Sequence, residues 1–181
     1  MQSFNLRNLR ICGQRAGGAS LAIFLKEYVT SCTFISQMLF DPEHPIVKLC
    51  AEGMMQEGEG NPEGAARLFL QAWNESTDDF GKFIAAHYIA RHQQSIADKL
   101  NWDEIALKHA LNLRDEQVNA QLPSLYLNVA KGFEDLGQFE NAKANYLLAQ
   151  SFADAMPDDG YARMIRSGIM NGLGRINAHA S

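Results

Sequence analysis

The chain has little of what disulfide-rich, zinc-binding or membrane-spanning proteins carry. Its 181 residues include three cysteines, Cys12, Cys32 and Cys50, and their spacing is not paired. Neither a disulfide framework nor a zinc ribbon is therefore expected, and a reducing cytoplasm is the expected compartment. No run of about 20 apolar residues is present, which excludes a typical transmembrane helix. After residue 40, no alternating pattern long enough to indicate a strand occurs.

Sequence patterns that support catalysis or cofactor binding are also missing. Gly17-Gly18 is not followed by the Lys-Ser or Lys-Thr of a phosphate-binding loop. His87 and His92 are five residues apart on one predicted helix, whereas metal ligands on a helix face are four apart. No serine or cysteine stands in the context of a nucleophile elbow. We therefore expect no catalytic residue, no metal site and no cofactor, and the chain is not predicted to be an enzyme.

The first forty residues differ from the rest in charge. They carry four basic residues against Glu27 alone, a net charge of +3, so the remainder carries −8 of the total of −5. Ala16 to Leu25 is apolar but short, and no small-x-small cleavage site follows, which argues against a secretory signal. We expect residues 1–40 to be an N-terminal extension that is either poorly ordered or the product of a start site placed too far upstream. Residues 41–181 are then the folded domain, with Met38 as a natural start.

The segment from Leu125 to Ala149 indicates a helix, a turn at Gly137 and a second helix beginning near Phe139. Small residues recur where two antiparallel helices have to touch, and large residues fill the gaps beside them. The positions that carry this pattern are Tyr126, Val129, Ala130, Phe133, Gly137, Phe139, Ala142, Tyr146 and Ala149. The pattern resembles a tetratricopeptide repeat (TPR), a helix-turn-helix unit of about 34 residues that stacks into binding scaffolds. The proline that ends the second helix in this family is displaced here to Pro157, which predicts a longer helix.

Two looser copies of the pattern precede this one. In the first copy, Asn61 is expected to cap a second helix that starts at Pro62. In the middle copy, Asn101 to Glu104 looks like a capping box at the start of the second helix. The matching positions are Gly53, Gly60, Ala65, Phe69 and Ala72 in the first copy, and Tyr88, Ile89, Ala90, Ala106, Ala110 and Leu113 in the middle one. The small contact residues at 53, 90 and 130 are 37 and 40 positions apart, which predicts helices about one turn longer than the family norm.

Residues 159–178 form one more amphipathic segment. Its apolar stripe consists of Tyr161, Ile165, Ile169, Leu173 and Ile176. Gly168 and Gly172 should allow close packing on one side. An ordinary last helix of a helical bundle would pack in the same way. The resemblance implies an all-α fold, a right-handed α-α superhelix (TPR-like solenoid) of about three helix pairs plus a C-terminal capping helix.

In the family that this chain resembles, the first helix of each unit lines a concave groove that binds a partner. Carried onto this sequence, the groove holds Val47, Cys50 and Met54 in the first unit, Ile84, His87, Arg91 and Gln94 in the second, and Ser124, Leu127, Asn128, Lys131 and Glu134 in the third. Arg91 and Lys131 would suit a peptide with an acidic group. The carboxylate clamp of chaperone-binding members requires a Lys and an Asn where this chain has Cys50 and Met54. Alternatively, both cations pair with Glu134, Asp135 or neighbouring helices.

Three classes of function follow from these observations. The resemblance implies a protein–protein interaction scaffold that binds a peptide or partner protein in its groove. An RNA-associated or other nucleic-acid-binding helical-repeat protein is an alternative, but a net charge of −8 lacks the basic surface that phosphate binding requires. An enzyme with an unrecognised site is the third class. No membrane partner is expected, and the sequence names no particular protein.

Overall fold

Every regular element in the part of the chain that the structure describes is a helix. The structure is a computed structural model that describes residues 41–113 and 116–179. Its helices are α1 Pro45–Gly58, α2 Pro62–Glu75, α3 Asp79–Ala90, α4 Ile96–Asn112, α5 Glu116–Asn119, α6 Leu122–Asp135, α7 Phe139–Ala153 and α8 Gly160–His179. The all-α prediction is confirmed for these residues. The N-terminal extension predicted for residues 1–40 lies outside the described residues.

Two predicted turns have the expected backbone. Gly60 and Gly137 have φ values of 80° and 73°, the left-handed region in which glycine has no Cβ to clash. After the first turn, the side chain of Asn61 accepts a hydrogen bond of 3.0 Å from the amide of Gly64 in α2. After the second turn, α7 begins at Phe139 as predicted. Each short turn folds the second helix back along the first.

The helices pack as successive pairs. α1 packs on α2, α3 on α4 and α6 on α7, while α2 and α1 both contact α3, α4 contacts α6, and α8 contacts α7 and α6. The contact positions predicted from the repeat pattern are fully buried, namely Ala65, Phe69, Ala72, Ala106, Ala130, Ala142, Tyr146 and Ala149. The apolar residues of the pairs form one main core, with a smaller cluster beneath α8.

Glycine permits the closest helix contacts. A Cβ atom on Gly53 of α1 would overlap the ring of Phe69 in α2. A Cβ atom on Gly172 of α8 would likewise overlap the ring of Tyr146 in α7. The predicted close packing on the glycine side of the last helix is therefore confirmed, and its physical reason is a large ring that occupies the space a Cβ atom would need.

The start of α4 was predicted in the wrong place. The helix begins at Ile96, and the hydroxyl of Ser95 accepts a hydrogen bond of 3.0 Å from the amide of Asp98. The predicted capping box at Asn101 to Glu104 lies in the middle of the helix. Ser95 and Asp98 themselves form a Ser-x-x-Asp capping pattern, so the signal was present six residues upstream.

The longer repeat spacing does not come from longer helices alone. Only α4, at 17 residues, exceeds the 12 to 15 residues of the other five paired helices by a substantial margin. The additional residues lie in the connection 91–95 and in the segment between α4 and α6, which contains α5. The predicted extension of the third unit towards Pro157 is also wrong, because α7 ends at Ala153.

Candidate binding surface

The ends of α1 and α3 are joined through the carboxylate of Glu57. Arg91, which follows α3, donates a hydrogen bond of 2.9 Å to Oε2 of Glu57, and Nε2 of His92 lies 2.8 Å from Oε1. The guanidinium of Arg91 also lies 5.5 Å from the ring centroid of Tyr88, whose hydroxyl donates to Sδ of Met54 at 2.9 Å. The side chain of Arg91 is 44% exposed. The partial exposure of Arg91 agrees with its predicted place at the surface. Its ion pair with Glu57 of α1 agrees with the alternative in which this cation pairs with a neighbouring helix.

The other predicted cation of the groove, Lys131, also has an acidic partner. Its ammonium forms an ion pair with Asp135, one turn further along α6. The Lys131 side chain is 32% exposed, as the prediction of a partly exposed residue requires. Both cations of the predicted groove are therefore present at the surface, and each already has a carboxylate beside it.

Glu134 was assigned to the same groove, but its carboxylate connects three helices. Arg175 of α8 donates to its two oxygens at 2.5 and 2.9 Å, and the hydroxyl of Tyr146 in α7 donates at 2.5 Å. The Glu134 side chain is only 11% exposed. Burial alone would raise the pKa of Glu134, but the hydrogen bonds from Arg175 and Tyr146 outweigh it and lower the pKa. The oxygens of Glu134 are thus engaged within the protein.

Two residues assigned to the groove face the core instead. Cys50 and Ile84 are 2% and 6% exposed, because both belong to the main apolar core. Burial raises the pKa of the Cys50 thiol to about 12, so the thiol stays protonated at neutral pH. Both assignments are corrected by the structure.

His87 is half-buried, and its Nδ1 is enclosed without a hydrogen-bond partner among the described residues. Burial lowers the pKa of His87 to about 4, and the positive charges of Arg91 and Lys99 act in the same direction. The ring is therefore neutral at pH 7. It is therefore a neutral, half-buried part of this surface.

The remaining predicted groove residues differ in how far their side chains are exposed to a partner. Leu127 packs towards Gly168, where a Cβ atom would lie 3.1 Å from Leu127 Cδ2. Asn128 is partly exposed and Gln94 is exposed. Met54 is 42% exposed on α1. Val47 and Ser124 are half-buried, like Asn128 and Lys131.

The helix α3 ends at Ala90, so Arg91 and Gln94 lie after it in the connection 91–95, and their assignment to the first helix itself is corrected. We keep the name first-helix stripe for the predicted polar and flexible side chains Met54, Arg91, Gln94, Asn128 and Lys131.

The middle pair contains a buried carboxylate that the sequence analysis did not identify. Asp103 of α4 is 1% exposed, and the ammonium of Lys99, one turn earlier, donates to it at 2.5 Å. Burial raises the pKa of Asp103, against the opposing effect of Lys99. Asp103 had been interpreted as part of a helix cap. Four-residue spacing to Lys99 is the one local signal of the pairing.

An aromatic cluster that the sequence analysis also missed bridges α2 and α4. The indole rings of Trp73 and Trp102 meet edge to face, with centroids 5.0 Å apart and planes at 88°. Leu70 and Ile105 lie one turn away on the same helices, and we call these four residues the α2–α4 seam: Leu70, Trp73, Trp102 and Ile105. Trp73, Trp102 and Ile105 are half-buried, and Leu70 is 49% exposed. These residues are 29 or more positions apart across the two helices, a distance that no local pattern reveals.

Polar groups border this seam. The ammonium of Lys82 lies 4.1 Å from the ring centroid of Trp73 and donates to the Trp73 carbonyl at 2.7 Å. The ring of His109 is 5.9 Å from that of Trp73, and its Nδ1 lies 2.6 Å from Oδ1 of Asp79. Hydrogen bonds from His109 and Asn112 lower the pKa of Asp79.

Two shallow grooves lie elsewhere on the helix pairs. One, of about 420 Å³, is polar and lies between α1 and α2, where it is lined by Glu52, Gln56, Asn61, Gly64, Arg67, Leu68 and Gln71. The other, of about 360 Å³, is more apolar and is lined by Glu104, Leu107, Lys108, Leu111, Asn112, Val129, Phe133 and Asn145 of α4, α6 and α7. Neither groove includes a residue of the predicted stripe.

Within the described residues, no three His, Cys, Asp or Glu side chains are grouped as a metal site would require. None of the described helices combines the length and the apolar character needed to cross a bilayer. In comparisons with protein-family models, with curated proteins and with solved structures, nothing matches this chain.

Proposed function

We propose that this chain is a protein-interaction scaffold of the tetratricopeptide-repeat type, in which the helix pairs stack as a right-handed superhelix and the first helices bind a peptide or a partner protein. The observation that carries the proposal is the pair of half-exposed cations on the first-helix stripe, Arg91 and Lys131. They belong to successive helix pairs, and both are held by ion pairs near the surface. An exposed ion pair contributes about 0–1 kcal/mol. A carboxylate from a partner can therefore compete with Asp135 for Lys131, and it can join Glu57 at Arg91, while Glu57 keeps His92 as its second partner.

The rest of the stripe supports a peptide with an acidic group as the ligand. Met54 offers a flexible apolar side chain, which adapts to partners of different shape. Gln94 and Asn128 offer amide groups that can both donate to and accept from a peptide backbone. The net charge of −8 over residues 41–181 favours a protein ligand over nucleic acid. A cytoplasmic location belongs to this proposal and rests on cysteine spacing, with Cys50 a buried free thiol.

The test is affinity capture of partners from nuclease-treated lysate of the source cells, with the double variant Arg91→Glu/Lys131→Glu beside the wild-type chain. We expect at least one protein to be captured by the wild type and lost with the variant. Capture should also weaken as salt rises, because screening reduces the attraction between exposed charges.

A matched control distinguishes the loss of the two stripe cations from the change in net charge that the substitutions cause. Arg67→Glu/Lys143→Glu changes the net charge by the same amount, but places the changes on the exposed sides of α2 and α7. This control should retain the partner. Equal loss with both variants, or full retention with both, contradicts binding at the stripe, provided that circular dichroism shows both variants folded.

A further inference from the structure

The two halves of α8 pack on different parts of the core. Ile165 and Ile169, in the first half, belong to the main apolar core. Ile176, in the second half, is buried in the smaller cluster to which α6 and α7 contribute. Because α8 is the last helix of the described residues and its second half packs on this small cluster, that half should open at a lower free energy than the helices of the main core.

The surface beneath the second half of α8 combines small, aromatic and acidic side chains of α6 and α7. Ala130, Ala142 and Tyr146 are 0% exposed there, Leu127 packs against them, and the carboxylate of Glu134 accepts from the Tyr146 hydroxyl. We call these five residues the α8-binding face: Leu127, Ala130, Glu134, Ala142 and Tyr146. None of them belongs to the first-helix stripe.

The α8-binding face restricts the size of the side chains that can pack on it. A Cβ atom at position 172 would lie 2.2 Å from Cζ of Tyr146, and one at position 168 would lie 3.1 Å from Cδ2 of Leu127. The first distance excludes a side chain unless the ring moves, whereas the second is only a tight contact. A helix on this face therefore needs glycine opposite Tyr146, and in α8 the apolar side chain of Ile176 follows one turn later.

A directed hydrogen-bond pair on the same face selects a cation. Arg175 donates to the two oxygens of Glu134 at 2.5 and 2.9 Å. Lys131, on the same helix as Glu134, forms its ion pair with Asp135. Residues 160–179 include three arginines and no acidic residue. The preference for a basic helix therefore follows from this pair and from the helix that already occupies the face, and not from the net charge of the chain.

We propose that α8 is a displaceable occupant of the α8-binding face, and that a basic amphipathic helix of another protein takes its place. That helix has glycine opposite Tyr146, then arginine and an apolar residue three and four positions later, as Gly172, Arg175 and Ile176 stand in α8. It binds in the helix-in-groove mode. Until the partner displaces it, α8 shields the face and acts as an autoinhibitory contact. The inference does not depend on binding at the first-helix stripe.

Two glycines of α8 supply the test and its control. Gly172→Ala places a methyl group against the Tyr146 ring and should loosen α8, whereas Gly174→Ala adds the same group where nothing lies within 4 Å. The probe is a synthetic, fluorescein-labelled peptide with the sequence of residues 159–179, added to the full-length chain and followed by fluorescence anisotropy. We expect it to bind the Gly172→Ala chain at least about tenfold more tightly than the wild type, because the chain's own α8 competes less well. The Gly174→Ala chain should bind like the wild type.

Substituted peptides test what the face recognises. The peptide carrying Gly172→Ala should bind the Gly172→Ala chain at least about tenfold more weakly than the unchanged peptide. The peptide carrying Arg175→Glu should lose affinity to a similar extent, because it places a second carboxylate beside Glu134. Arg163→Glu makes the same change in charge at the other end of the peptide and should leave the affinity within about twofold of the unchanged value.

A second variant of the chain covers the case in which circular dichroism shows that Gly172→Ala does not fold. Arg175→Gln removes only the hydrogen bonds of a side chain that is 47% exposed, and it should also bind the peptide more tightly than the wild type. Its matched control is Arg163→Gln, whose ion pair with Asp158 is exposed.

Three results overturn the proposal. The first is equal binding of the peptide by the loosened chains and their controls, and the second is equal binding of the unchanged and the substituted peptides. The third is a dimer of the wild-type chain that the peptide converts to monomers, since α8 of a second copy then occupies the face. None of these results affects the first-helix stripe, whose test uses Arg91 and Lys131.

Discussion

The third helix pair, α6 and α7, and the middle pair, α3 and α4, are similar in length but are held together differently. The third pair is joined by a three-residue turn around Gly137 and meets through Ala142, Tyr146 and Ala149, all of them 0% exposed. The middle pair is joined by the five residues 91–95, and its α4 is capped by Ser95 instead of following a left-handed glycine.

The two pairs also differ in the ionisable groups that they enclose. The middle pair contains the Nδ1 of His87, for which the described residues supply no hydrogen-bond partner, and the carboxylate of Asp103. In the third pair, the carboxylate of Glu134 is met by Arg175 and Tyr146. Burial without full compensation disfavours the charged form of a group. The two pairs should therefore respond to pH in different ranges, the middle pair through the lowered pKa of His87 and the third pair at more acidic pH through the lowered pKa of Glu134.

The largest expected effect tests the tight contact of the third pair. Ala142→Phe inserts a ring where no space exists, and should lower the free energy of unfolding by about 3 kcal/mol, the upper end of the range for overpacking. Ala144→Phe, on the exposed side of the same helix, should stay within about 0.5 kcal/mol of the wild type. Urea denaturation monitored by circular dichroism measures both. A loss below about 1 kcal/mol for Ala142→Phe would place the helix crossing elsewhere.

The next effect tests the middle pair through pH. The pKa of His87 is about 4 in the folded chain, below the ordinary value of 6.5, so the unfolded chain binds more protons between these values. The free energy of unfolding should therefore fall as pH drops from 6.5 towards 4. We expect roughly 2 kcal/mol from this residue, after allowance for the half-buried ring.

The variant His87→Gln should remove this part of the pH dependence. Denaturation at intervals from pH 7 to 5 keeps the comparison above the ordinary pKa of Glu134, 4.5, whose lowered pKa acts at more acidic values. His179→Gln, at the exposed end of α8, should leave the wild-type slope unchanged. If the slope of His87→Gln equals that of the wild type, the enclosed Nδ1 is not the source of the pH dependence.

The smallest effects compare the two connections. Gly137→Ala places a Cβ atom at a φ of 73° and should cost about 1–2 kcal/mol. Ser95→Ala removes the hydroxyl that accepts from the amide of Asp98, and should cost about 1 kcal/mol. Gly58→Ala, where nothing lies within 4 Å of the added atom, should be neutral or slightly stabilising. If the melting temperature falls by the same amount in all three variants, then neither the left-handed backbone at Gly137 nor the hydroxyl cap of Ser95 makes a specific contribution to stability.

Local features of the fold were predictable from the sequence. The Asn61 cap, the left-handed glycines and the Ala142–Tyr146–Ala149 contact each depend on residues within a few positions of one another. The same locality explains the errors, since Ser95 and Asp98 gave a valid cap signal that competed with a second one at Asn101. When two candidate caps fit the sequence pattern equally well, the sequence does not show which one starts the helix. Only the helix face that packs against the core decides between them.

The candidate surface was predictable only in part. The repeat resemblance, carried along the helical spacing, placed Arg91 and Lys131 at the surface, and both are partly exposed. It also placed Cys50 and Ile84 there, because spacing by itself does not show which side of a helix a second neighbour covers. α3 is contacted by α1, α2 and α4, so little of its circumference remains for solvent.

The sequence by itself determined that this chain is helical, where two of its turns lie and which small residues its helix pairs meet through, because all of these follow from backbone preference and side-chain size over short distances. Only the tertiary structure decided the partners of its charged and aromatic groups. Glu57 meets Arg91 across 34 positions, Glu134 meets Arg175 across 41, and Trp73 meets Trp102 across two helices. Such contacts depend on how complete helices are placed against one another, and the energy of that placement is shared among many apolar contacts that no single motif encodes.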